Sequence, residues 1–148
     1  MKLISHRGNI NGRKPELENR QEYIIQAINS GYDVEIDIWY DKELWLGHDE
    51  PQYKVSLDFL KKYKDKLWIH CKNFKALSFL IEEKELNIFY HKTEEYTILS
   101  NNLIWAHNLQ EVDIKCIIPL LSKYDIDTWI PSEVYGICSD YVNLLEKQ

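Results

Sequence analysis

The chain is short of the residues that break, cross-link or span. Only five of its 148 residues are Gly and four are Pro, which excludes collagen-like and linker-rich architectures. Three cysteines, Cys71, Cys116 and Cys138, make an odd set without C-x-x-C spacing. Neither a disulfide framework nor a zinc ribbon is therefore expected. Each lies in an apolar stretch and reads as a small buried side chain. No apolar run approaches the ~18 residues of a membrane span, so no transmembrane segment is expected. Met1-Lys2-Leu3-Ile4-Ser5-His6-Arg7 holds no apolar core of a secretory signal, which makes a cytoplasmic location the expectation. Positive charge is in deficit, 18 Lys and Arg against 24 Asp and Glu for a net charge of −6, which argues against nucleic acid as a partner.

What is present is a globular composition, 45% hydrophobic and 28% charged, sufficient for one domain and one core over residues 1–148. Short runs rich in Ile, Val, Trp and Tyr read as strands over 2–5, 34–40, 44–46, 67–71, 88–90, 103–106, 116–118 and 135–138. Helical spacing predicts helices over 18–30, ended by Gly31, over 57–63 capped by Ser56, and over 75–85 capped by Asn73. Residues 115–124 carry a partly helical pattern, but Pro119 in its middle favours a strand ending there. The first half reads as strand–helix alternation and the second as strands joined by loops, which implies a mostly parallel α/β sheet.

All five histidines close an apolar run: Ile4-Ser5-His6, Leu46-Gly47-His48, Trp68-Ile69-His70, Phe89-Tyr90-His91 and Trp105-Ala106-His107. Ligands of parallel α/β sheets bind at the carboxyl ends of the strands, so a shared site is expected there, with His91 and His107 as bystanders. Asp33-Val34-Glu35-Ile36-Asp37-Ile38 alternates strictly. Glu35 and Asp37 therefore share one strand face, about 6.7 Å apart along the strand. Two inward carboxylates at that spacing can grip a hard divalent cation. On the later strand His70 and Lys72 share a face, and Lys72 either binds phosphate oxygens or snorkels to solvent. Arg7 can grip phosphate bidentately, and Gly8 lets the chain turn after the first strand. Trp39, Trp45, Trp105 and Trp129 lie near strand ends or loops and are candidates to wall a substrate pocket.

These residues resemble the glycerophosphodiester phosphodiesterase family, within the phosphatidylinositol-phospholipase-C-like phosphodiesterases. The matching pieces are His6-Arg7-Gly8, Glu18-Asn19 opening a helix, Gly31-x-Asp33-Val34-Glu35-Ile36-Asp37, Gly47-His48-Asp49 and the late Gly136-Ile137-Cys138-Ser139-Asp140-Tyr141. The match is dense over 4–51, thinner to 73 and absent over 88–134. The resemblance implies catalytic roles for His6 and His48, metal binding by Glu35 and Asp37 with Mg²⁺ or Ca²⁺, and phosphate contacts from Arg7 and Lys72. Glu18 is implied either to orient the site or to bind metal. The family's third carboxylate falls on His70. A neutral imidazole suits Mg²⁺ or Ca²⁺ poorly, so His70 there either binds Mn²⁺ or Zn²⁺, weakens metal affinity, or does not ligate. The family's fold implies a compact TIM-type (β/α) barrel. An ordinary one needs roughly 250 residues, so several helices of the second half are expected to be reduced to loops.

The implied reaction is hydrolysis of a small-molecule phosphodiester. Charge neutralisation comes from the metal, Arg7 and Lys72, while His6 and His48 divide the base and acid roles in either order. Two alternatives stay open: a metal-independent phospholipase-C-like lyase, and a catalytically degenerate module that binds a phosphate ligand.

Overall fold

The alternation at residues 33–38 does what its period dictates. Strand β1 spans Lys2–His6 and β2 spans Asp33–Asp41. Val34, Ile36 and Ile38 turn to one face and are fully buried against helix α1, Gln21–Asn29, through Ile24 and Ala27. Glu35 and Asp37 turn to the opposite face and are also buried. Strand β3, Glu43–Leu46, returns from β2 in a tight hairpin and is followed by β4, Tyr53–Val55. Helix α2, Leu57–Lys62, begins where Ser56 Oγ accepts the Phe59 N–H at 3.1 Å. Strand β5, Leu67–Cys71, leads to helix α3, Phe74–Leu80. Asn73 caps α3 by accepting the Ala76 N–H at 3.0 Å, and its amide also bonds both backbone groups of Tyr40. The remaining elements are β6 Asn87–Phe89, β7 Tyr96–Ile98, β8 Ile104–Ala106, β9 Cys116–Pro119, helix α4 Lys123–Thr128, β10 Gly136–Ser139 and a 3₁₀ helix, Val142–Lys147. This computed structural model describes residues 1–128 and 133–147. Among these residues no helix is long and apolar enough to cross a membrane.

The expected barrel does not form. Among the described residues ten strands make one mixed sheet that stays open, and helices account for only 23%. Seven strands run parallel in the order β6-β5-β2-β1-β10-β9-β8, while β3, β4 and β7 add antiparallel. The reason lies at β8. One of its edges is taken by β9 and the other by β7, so no edge is left for a ladder to β6. At the gap, Ser100 donates from its backbone to Ile88 O at 2.9 Å, and the Phe89 and Trp105 rings stack at 4.6 Å.

Several local expectations also shift. The first helix starts at Gln21 rather than at Glu18, because Asn19 holds φ +63, outside helical space. Helix α3 ends at Leu80, the predicted strand 88–90 is Asn87–Phe89, and β4, β7 and α4 lie in segments read as loop. Strand β9 ends at Pro119, and all three cysteines are buried and unpaired. Trp129 lies outside the described residues.

Candidate functional site

The ends of β1 and β3 meet beside the β2 carboxylates. Ile38 pairs with Leu46 of β3 and with Cys71 of β5, so β3 lies on the same edge of β2 as β1. Strand β1 stops where Arg7 N–H bonds Glu35 O at 2.9 Å, and β3 ends where Gly47 N–H bonds Asp37 O at 3.2 Å. His6 and His48 are thus carried to one stretch of β2 from two chain ends. His48 does not end a parallel strand, as its sequence context predicted; an antiparallel hairpin returns it to the level of Asp37. Gly47 is required there. Its φ is +150°, and a Cβ would sit 2.1 Å from Glu50 O.

A cavity of about 460 Å³ opens over these residues. One wall is His6, Arg7, Glu35, His48, His70 and Lys72; the other is formed by Tyr90, His91, Lys92, Trp105, His107, Pro119 and Leu121. All five histidines line it, including His91 and His107, which sequence position alone had set aside. Of Trp39, Trp45 and Trp105, Trp105 is among its lining residues; Trp39 instead donates from Nε1 to Gly47 O at 2.7 Å.

Each catalytic candidate has its Nδ1 held by an aspartate. His6 Nδ1 lies 2.8 Å from Asp140 Oδ1, and Asn9 Nδ2 donates to the same oxygen at 2.8 Å. His48 Nδ1 lies 2.6 Å from Asp49 Oδ1. With Nδ1–H donated to carboxylate, Nε2 is the atom free for proton transfer. His6 Nε2 lies 3.8 Å from Glu35 Oε2. Burial, and after it the Arg7 charge, holds the half-exposed His48 below the ordinary histidine range, against the opposing pull of Asp37 and Asp49. Asp140 is 1% exposed, and burial opposes its ionisation; the His6 and Asn9 contacts outweigh that and hold its carboxyl low.

Asp37 is fully buried and gripped from three sides. Asn19 Nδ2 donates to Oδ2 at 2.9 Å while Asn19 Oδ1 accepts the Asp37 N–H at 3.0 Å. Arg7 Nε stands 3.0 Å from Oδ2, and Lys72 Nζ 3.6 Å from Oδ1. His70 Nδ1 lies 3.3 Å from Asp37 Oδ1 and 3.9 Å from Glu35 Oε1. Burial alone would raise the Asp37 pKa, but His70, Arg7 and Lys72 pull it below the carboxylate range. Glu35 goes the other way. Burial and then Asp37 push its pKa up, against His6, Arg7 and His70.

Glu18 does not reach the metal-candidate group. It accepts from Asn9 at 2.9 Å and from Arg7 Nη1 at 3.2 Å, and Arg13 approaches at 3.4 Å. Its contacts instead hold the side chain of Arg7, whose backbone has φ +56. Arg7 remains charged: burial opposes this, but Asp37, Glu35 and Glu18 outweigh it. Asn9, Asn19 and Asp140 carry no role in the sequence-based assignment. Asn19 and Asp140 do sit inside quoted motifs, which is the signal that points to them.

Ligand atoms of Glu35, Asp37 and His70 all lie within 4.8 Å of one another. Glu35 Oε2 and Asp37 Oδ1 are buried without a hydrogen-bond partner. Two crowded carboxylates with unpartnered oxygens fit a cation, which would favour both ionised forms. The arrangement as a whole can move protons at two imidazoles, neutralise an anion at Arg7 and Lys72, and hold a cation at the acidic pair. Comparison with family models, with curated proteins and with solved structures returns no match.

Proposed function

We propose that the chain is a phosphoric diester hydrolase acting on small glycerophosphodiester-like substrates, as its resemblance to the glycerophosphodiester phosphodiesterase family implies. One observation carries the reading: two aspartate-held histidines, two cations and Glu35 line one cavity, with Asp37 buried behind them against Arg7 and Lys72. Arg7 and Lys72 bind the phosphate oxygens, and Glu18 keeps Arg7 aimed at them. His6 removes a proton at Nε2 from the attacking oxygen, either water or a neighbouring substrate hydroxyl, and Asp140 stabilises the imidazolium that forms. His48 protonates the leaving alkoxide. Its lowered pKa makes its charged form the readier proton donor. Glu35, Asp37 and His70 would hold a divalent cation, which supplies charge neutralisation at a phosphate oxygen.

A second reading rests on the cations already gathered at Asp37. Arg7 Nε and Lys72 Nζ lie 3.0 and 3.6 Å from its oxygens, and such a pair can neutralise phosphate without metal, as in a phospholipase-C-like lyase. The test is turnover of glycerophosphodiesters and of bis(p-nitrophenyl) phosphate, with and without EDTA, for wild type and His6→Ala. Turnover abolished by EDTA and by the substitution supports the metal-dependent hydrolase. Turnover indifferent to EDTA supports the lyase. Binding of phosphate esters with no turnover under any metal would leave only a ligand-binding module.

A further inference from the structure

The third member of the acidic group is a nitrogen donor held in a fixed pose. The His70 side chain is 10% exposed, and its ring lies against two neighbours, Phe89 at 5.0 Å and 7° and His91 at 4.4 Å and 6°, which are themselves nearly parallel with centroids 5.8 Å apart and so cover one face of it. Phe89 in turn stacks on Trp105 at 4.6 Å. Tilting the His70 ring would break its parallel stacking on Phe89 and His91. Its in-plane direction is also set. Nε2 lies 3.4 Å from His91 O, the acceptor that aims Nδ1 at the carboxylates. An imidazole whose far N–H is anchored on a backbone carbonyl, with the near nitrogen facing buried carboxylates, is the outer-shell arrangement of metal-ligating histidines.

Spacing agrees. Two atoms bound to one first-row ion at ~2.1 Å lie no more than ~4.2 Å apart. His70 Nδ1 is 3.3 Å from Asp37 Oδ1 and 3.9 Å from Glu35 Oε1. Asp37 Oδ2 is occupied by Asn19 and Arg7, while Oδ1 has no hydrogen-bond partner and faces only His70 Nδ1 and, at 3.6 Å, the Lys72 ammonium, which a bound cation would displace. Donor chemistry then decides the class of ion. One imidazole and two carboxylates suit Mn²⁺, Co²⁺ or Zn²⁺, whereas Mg²⁺ and Ca²⁺ favour oxygen alone.

We propose that Glu35, Asp37 and His70 form a transition-metal site in which His70 ligates through Nδ1, so that the chain selects Mn²⁺, Co²⁺ or Zn²⁺ over Mg²⁺ and Ca²⁺. This rests on the metal-dependent reading above but is tested by binding. Chelator-stripped full-length protein is titrated calorimetrically with Co²⁺ and with Mg²⁺, and the Co²⁺ form is examined by proton NMR. One Co²⁺ per chain is expected, at least 100-fold tighter than Mg²⁺. A far-shifted exchangeable resonance from the His70 Nε2–H should accompany it. In His70→Glu, with folding checked by circular dichroism, that resonance disappears and the Co²⁺ to Mg²⁺ preference falls at least tenfold; His70→Gln serves if the glutamate variant does not fold. An unchanged preference in the variant, equal affinity for the two ions in wild type, or a Co²⁺ complex without the shifted resonance each overturns the assignment. Selective Co²⁺ binding without phosphodiester turnover supports the site and refutes the hydrolase; EDTA-sensitive turnover without a Co²⁺ preference refutes the transition-metal assignment alone; EDTA-insensitive turnover with no Co²⁺ binding refutes both and leaves the lyase.

Discussion

Asp140→Asn is the sharpest perturbation of the proposed chemistry. It keeps shape and removes one charge. In the wild type Asp140 Oδ1 accepts from both His6 Nδ1 and Asn9 Nδ2 at 2.8 Å. The asparagine oxygen can keep both contacts, but as neutral hydrogen bonds. A charged bond is worth roughly 1.5–3 kcal/mol and a neutral one roughly 0.5–1.5, so the two together lose about 2 kcal/mol. The new NH₂ also takes the position of Oδ2, which is buried with no partner. For a domain of this size the expected fall in Tm is about 4–8 °C. The kinetic effect is larger, because the carboxylate acts most strongly when His6 is protonated. At this separation and an effective dielectric of about 20, an ion pair is worth about 6 kcal/mol. An amide dipole retains part of that, leaving a loss of about 3–5 kcal/mol, or 10²–10⁴ in kcat/KM. The assay is kcat/KM against pH on a phosphodiester, beside a thermal melt. A folded variant that keeps kcat/KM within threefold of wild type would show that His6 does not transfer protons with Asp140 as its partner.

Two further outcomes follow from the same geometry. Gly47→Ala brings a Cβ to within 2.1 Å of Glu50 O, so the turn carrying His48 must move; activity should fall at least tenfold and stability by about 2–4 kcal/mol, measured by turnover and urea unfolding. The Glu18 carboxyl is held low: burial opposes its ionisation, but Asn9, Arg7 and Arg13 outweigh it. Its contribution is therefore present above the unfolded carboxylate range near pH 4 and is lost as pH falls through the lower folded value. Glu18→Gln should accordingly cost about 1 kcal/mol at pH 6.5 and less at pH 3; an equal cost at both values would overturn the assignment.

Much of the site was legible because it is built from short-range pattern. The alternation of 33–38 separates Glu35 and Asp37 from the apolar face within one strand. The caps at Ser56 and Asn73 act across three residues. The histidines are exposed to view by the apolar runs they close, and the chain brings all five to one cavity. The supporting residues were less legible because their partners are remote. Asn9, Asn19 and Asp140 gain meaning only from contacts with Glu18, Asp37 and His6, the last 134 positions away.

The sequence by itself determined which face of each strand is polar, where the first-half helices are capped, and which titratable residues cluster in order along the chain. These follow from side-chain period and local hydrogen bonding, which operate over two to four residues. Only the tertiary structure decided that the sheet stays open, since that depends on β7 taking the edge of β8 that closure would have needed. Only it decided that His48 arrives on an antiparallel hairpin, and that His91 holds His70 in plane against the carboxylates. Edge competition between three-residue strands and stacking between rings from different strands are long-range outcomes, and no local period encodes them.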